Sequence, residues 1–146
     1  MNRSTVFLVE DDVELVQLLK IRIESAGYQV FVTSDGDKAC GLIQEKLPDL
    51  VILDVFLPDT DGLTILKRLK SPIDIETGSP SRTKDIPVIV VTGKAPTIEN
   101  ITRVEGAAEF FVKPLDMEKL MDRIHQILEP AHHGKESKSK KDSAGR

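Results

Sequence analysis

Tryptophan is missing from this chain, and only one tyrosine and five phenylalanines are present. Any hydrophobic core must therefore be built from Val, Ile and Leu. A single cysteine, Cys40, rules out an internal disulfide and fits a reducing compartment. Long apolar runs are missing too. The run nearest the N-terminus, Val6 to Val9, ends at Glu10 and is too short for the apolar stretch of a signal peptide. Nothing approaches the roughly 20 residues that cross a bilayer. Basic charge is not in excess either: the net charge is -4, which argues against a general nucleic-acid binder with its basic face. The expectation is a soluble, cytoplasmic chain that contacts neither membrane nor nucleic acid. Its 146 residues, 40% of them hydrophobic, leave room for one ordinary domain with a real core.

What is present alternates. Thr5 to Val9 is a continuous β-branched apolar run that reads as a buried strand. Leu15, Leu18, Leu19 and Ile23 then recur at helical spacing, and Gly27 stands where a glycine closes a helix. Tyr28 to Thr33 reads as a second strand. Ala39, Leu42, Ile43 and Leu47 mark a second helix stopped by Pro48. Leu50 to Leu53 form a third strand ending at Asp54, and Leu63, Leu66 and Leu69 a third helix. Val88 to Val91 form a fourth strand, and Ile98, Ile101 and Val104 a short fourth helix. Phe110 to Val112 are a brief fifth strand, followed by a last helix carrying Met117, Leu120, Met121, Ile124 and Leu128. Five strand–helix alternations predict an α/β fold, a doubly wound five-stranded parallel sheet with helices on both faces. The domain is expected over residues 1–129, followed by a disordered Lys- and Ser-rich tail over 130–146. Ser71 to Asp85 makes an unusually long connection for a compact domain.

In an open parallel sheet, ligands bind beyond the carboxyl ends of the strands. Those ends carry Glu10, Asp11 and Asp12 after the first strand, Asp54 after the third, Thr92 after the fourth and Lys113-Pro114 after the fifth. Two carboxylates about 4 Å apart repel by about 4 kcal/mol at an effective dielectric near 20. A hard divalent cation removes that cost, and oxygen ligands with a few waters suit Mg2+. Such an ion would also neutralise an incoming phosphate, facing Asp54 as a carboxylate nucleophile. Lys113 and Thr92 would serve the phosphoryl oxygens. Asp12 is read as the cap of the first helix, Asp59 and Asp61-Gly62 as turn residues, and His125 as a helix-surface residue. The tail's His132-His133 and its lysines are read as a solvated extension.

Val9-Glu10-Asp11-Asp12, Leu53 to Pro58 with Asp61-Gly62, Val91-Thr92-Gly93 and Phe110 to Pro114 resemble, in order, the motifs of response regulator receiver domains. The likeness runs over about residues 5 to 129. It implies a flavodoxin-like sheet of order 2-1-3-4-5 and a two-component phosphorelay function. By that resemblance Asp54 is the phosphoacceptor. Asp11 ligates magnesium directly, Glu10 through water, and Phe56 through its backbone carbonyl. Thr92 and Lys113 read the phosphoryl group, Thr92 and Phe110 form the switch, and the Lys113-Pro114 bond is cis. The implied partners are a sensor histidine kinase or a histidine phosphotransfer protein, and a downstream target on the face of the fourth helix, fifth strand and last helix. A homodimer is a further expectation. Three departures stand out: the long connection before Pro87, the residues Phe56 and Lys94 beside the phosphoryl position, and the expectation that no output domain follows the last helix. Two other classes compete. A haloacid-dehalogenase type of hydrolase would need an acid where Phe56 stands, and Phe56 cannot transfer a proton. A phosphorylation-independent binding module would not need the full set of acids, Thr92 and Lys113.

Overall fold

The computed structural model describes residues 3–58, 60–93, 102–103 and 105–129. Five strands are present among the described residues: β1 (Thr5–Val9), β2 (Gln29–Thr33), β3 (Leu50–Asp54), β4 (Val88–Thr92) and β5 (Glu109–Val112). The described helices are α1 (Val13–Ser25), α2 (Gly36–Lys46), α3 (Gly62–Lys70) and α4 (Met117–Leu128). Two compact units are separable along the chain, Met1–Leu115 with the sheet and α1 to α3, and Asp116–Arg146 with α4. The fourth helix expected around Ile98 to Val104 and the tail expected after residue 129 lie outside the described residues, apart from two helical residues at 102 and 103. No described helix is long and apolar enough to cross a membrane.

All strands pair in parallel, in the order β2-β1-β3-β4-β5, as expected. The chain steps outward from β1 to β2, then returns past β1 to β3 and continues to β4 and β5. Right-handed crossovers in opposite directions must lie on opposite faces of the sheet. Phe7, Val9, Val51, Leu53, Val88 and Val90 accordingly share one core with Ala39, Cys40 and Ile43 of α2 and Ile65, Leu66 and Leu69 of α3. Their strand neighbours Val6, Leu8, Leu50, Ile52 and Ile89 point the other way by the two-residue period and are equally buried. On α1, Leu19 and Ile23 are fully buried. The reversal of direction falls between β1 and β3, where an open sheet parts its loops and leaves a crevice.

Each described helix begins on an aspartate cap. Asp12 accepts from the N–H groups of Glu14 and Leu15, Asp35 from Asp37, Asp61 from Leu63 and Asp116 from Lys119. Four of the chain's 24 acidic residues thus serve helix starts. The long connection is ordered rather than helical. α3 stops at Lys70 because Ser71 precedes Pro72 and is extended, with ψ at 138°. Beyond it, Ser81 N–H donates to Pro72 O and Asp74 N–H to Ser79 O, and Ile73 pairs with Pro80. The buried Thr83 hydroxyl donates to Leu69 O, and Lys70 Nζ donates to the carbonyls of Lys84 and Ile86. The extra residues therefore lengthen the loop, not the third helix.

Candidate functional site

Glu10 follows β1, Asp54 ends β3 and Lys113 follows β5, so the parallel sheet delivers all three to one edge. Lys113 Nζ lies 3.0 Å from Asp54 Oδ2 and 3.0 Å from Glu10 Oε1. Glu10 is fully buried and Asp54 is 3% exposed, while Asp11 is exposed. Glu10, Asp11 and Asp54 each offer a carboxylate oxygen within 4.8 Å of the others. Glu10 Oε2 accepts from the N–H groups of Asp11 and Asp12 at 3.2 Å, which folds the loop after β1 around its side chain. Asp54 Oδ1 accepts from Phe56 N–H at 2.9 Å. Asp12 faces α1 as its cap and not the acid cluster, in line with the reading of Asp12 as structural.

The surroundings of most other residues singled out in the sequence are described as well. Thr92 is fully buried at the end of β4, and its carbonyl accepts from Lys113 N–H at 2.8 Å. Phe56 is 45% exposed. Phe110, named with Thr92 as the switch, lies inward, 8% exposed, within the core shared by α2 and α3. The Lys113-Pro114 bond is cis, as expected. Asp61 caps α3, so it serves the turn, and His125 lies partly exposed beside Glu129 on α4. Asp59, Lys94, His132 and His133 lie outside the described residues.

Burial is the main cause of an altered Glu10. It lifts the carboxyl from 4.5 to about 7; the hydrogen bond from Lys113 opposes the rise, and the nearby Asp54 charge adds to it. Burial pushes the Lys113 ammonium down, but hydrogen bonds to Glu10 and Asp54 outweigh it and the net direction is up. The consequence for stability has a definite sign. Between 4.5 and about 7 the folded chain keeps a proton on Glu10 that the unfolded chain has released. This group's contribution is complete below 4.5 and is lost as pH rises through about 7. Lys113 acts in the same sense only in the alkaline range above 10.5. In metal-free protein, the denaturant midpoint is therefore expected to decline across the lower window, and Glu10→Gln to flatten that decline. Parallel profiles for the two proteins would contradict the assignment.

The cluster suits a hard cation. Its donors are carboxylate oxygens alone, and Glu10 Oε1 is buried with no hydrogen-bond partner among the described residues, although Lys113 Nζ is near. Sequence reading missed one contact at the rim: Thr60 Oγ1 donates to Asp37 Oδ1 at 2.8 Å. The two residues are 23 positions apart, and neither type nor spacing signals the pairing.

Comparisons with known proteins agree with this geometry. Residues 6–125 match the sequence model of the family described as "Response regulator receiver domain". The chain is 33% identical over 124 residues to the DNA-binding dual master transcriptional regulator RpaA of Synechocystis, covering 84% of this chain and 48% of that protein. It is 33% identical over 130 residues to the transcriptional regulatory protein CpxR of Escherichia coli, covering 88% of this chain and 51% of that one. The chain thus spans about half the length of these curated relatives. Among solved structures, the signal receiver domain of a DNA-binding response regulator from Colwellia psychrerythraea superimposes with a TM-score of 0.75 at 27% identity, covering 86% of this chain and 98% of that one. The BeF3-activated N-terminal receiver domain of Klebsiella pneumoniae RstA gives 0.71 at 26% identity, covering 86% and 99%.

Proposed function

Because the chain belongs to the response regulator receiver domain family of two-component signalling, we propose that Asp54 is its phosphoacceptor, that Glu10, Asp11 and Asp54 hold Mg2+, and that the chain catalyses phosphoryl transfer to itself. The observation that carries this reading is Lys113 Nζ at 3.0 Å from Asp54 Oδ2, on an edge where the acid oxygens converge. A carboxylate oxygen of Asp54 attacks phosphorus, the phosphorus–nitrogen bond of a phosphohistidine donor breaks, and its electron pair returns to the imidazole. The Lys113 ammonium sits where charge grows on the phosphoryl oxygens, and a fixed cation in a partly buried site stabilises that charge without reorganising. Phe56 N–H orients the Asp54 carboxylate from its other oxygen. The Thr92 hydroxyl would accompany the phosphoryl oxygens, and the Phe56 carbonyl would complete the ion's oxygen set. When bound, Mg2+ supplies charge neutralisation between the acids and the phosphoryl group. Hydrolysis of the aspartyl phosphate would restore the resting state.

The phosphoryl group adds about -1.5 to -2 charges at pH 7. Thr92 and its loop would draw toward it, the inward position of Phe110 would be held, and the face around β5 would change its affinity for a target or a second copy. The donor would be a histidine kinase or a histidine phosphotransfer protein, and the compartment the cytoplasm. The earlier expectation of no nucleic acid needs correction. It came from this chain's acidic charge, whereas the matching relatives are by name transcriptional regulators, one of them DNA-binding. Output at DNA is therefore part of this proposal, through protein outside the acidic receiver itself. Incubating the chain with a small acyl phosphate and Mg2+ should add the mass of one phosphoryl group, and chelating the metal should prevent it. No gain in the presence of Mg2+ would overturn the reading.

A further inference from the structure

Among the described residues, the loop after Asp54 is tied at its stem and at one polar contact near its tip. At the stem, Gly62 N–H donates to Val55 O at 3.1 Å, and Phe56 pairs with Asp61 as an isolated antiparallel bridge. Leu57 is buried in the core shared with α2 and α3. The remaining tie is polar: Thr60 Oγ1 to Asp37 Oδ1 at 2.8 Å, in the first turn of α2. Asp37 is itself fixed, its N–H donating to the Asp35 cap at 2.9 Å. Gly36 makes the approach feasible, because a Cβ there would come within 2.5 Å of Thr60 Cβ.

We propose that Thr60 is a positioning residue, whose hydrogen bond to Asp37 across the Gly36 notch ties the loop to α2 and so sets the place of the Phe56 backbone at the site rim. Thr60 adjoins Asp61, and Asp61 is paired with Phe56, whose N–H holds Asp54. A shift at residue 60 therefore reaches Phe56 through one bridged pair. The inference rests on the reading of this edge as a Mg2+ site.

The test compares the full chain with Thr60→Val, which keeps the branched shape and loses the donor, and Thr60→Ser, which keeps the donor. Amide hydrogen exchange at Phe56 and Leu57 is followed in metal-free protein, and Mg2+ affinity by titration. Thr60→Val should speed exchange at these two amides several-fold and weaken Mg2+ about threefold, in keeping with one modest hydrogen bond, while Thr60→Ser restores both. Wild-type exchange and affinity in Thr60→Val would overturn the inference. So would a uniform acceleration of all amides, which marks a general loss of stability. A wild-type chain that takes up no Mg2+ would overturn the site reading and this inference with it, whereas normal uptake with an indifferent valine variant would overturn this inference alone.

Discussion

Asp54→Asn should show no phosphoryl mass gain under conditions that label the wild-type chain fully. Other acids at the rim are poor substitutes, each for a different reason. Glu10 is fully buried, holds a proton up to about pH 7, and has one oxygen committed to the N–H groups of Asp11 and Asp12. Asp11 is exposed, and no hydrogen bond to its side chain aims it at Lys113 among the described residues. Asp54 has an oxygen 3.0 Å from Lys113 Nζ and a second oxygen fixed by a backbone N–H; Glu10 shares both contacts, so its proton and its full burial are what set it apart. The same substitution removes a charge that raises Glu10. The Glu10 titration followed by carboxyl NMR should therefore move to lower pH in Asp54→Asn. Full labelling of the asparagine variant would move the acceptor to another residue, and an unmoved Glu10 titration would break the electrostatic coupling claimed between them.

Gly62→Ala should cost the fold more than any other glycine substitution among those described. A Cβ at Gly62 would fall 2.2 Å from Val55 Cα and 2.8 Å from its carbonyl carbon and oxygen. The obstacle is backbone, one residue past Asp54, and cannot rotate away. Overpacking of this kind costs on the order of 3 kcal/mol, which for a domain of this size lowers the melting temperature by about 10 °C. Gly41 provides the opposite case. It lies exposed on α2 with nothing within 4 Å of a Cβ, so Gly41→Ala should stabilise the helix by up to about 1 kcal/mol. Thermal melts of the two variants decide the matter. Equal melting temperatures for Gly62→Ala and wild type would mean that the loop at Val55 yields, and the close approach would lose its structural meaning.

The local order of the chain was open to reading because each element carries its own signal. Val6 to Val9, Leu50 to Leu53 and Val88 to Val91 are apolar on both faces, as strands covered on both sides must be, and all three are strands at those positions. Asp12, Gly27 and Pro48 punctuate the helices where sequence spacing puts them, Gly27 with a φ of 99°. The edge that gathers Glu10, Asp54 and Lys113 was legible for the same reason: in a parallel sheet every strand ends on the same side, so residues that close strands meet. The 71–85 connection was visible as an anomaly, but its form was not. The hydrogen bond from Thr83 to the Leu69 carbonyl, and those from Lys70 Nζ back to the carbonyls of Lys84 and Ile86, depend on how α3 lies on the sheet, and no periodicity encodes that.

Composition and spacing alone determined an aliphatic five-stranded parallel sheet and put Glu10, Asp11, Asp54, Thr92 and Lys113 at its strand ends, since burial pattern and strand ends are properties of the linear chain. Tertiary structure alone decided which acid is fully buried, that Glu10 takes up a proton near neutrality, that Phe110 already faces the core, and that Thr60 reaches Asp37. Desolvation and through-space contact are set by what surrounds a group, and the neighbours that matter here come from segments tens of residues away.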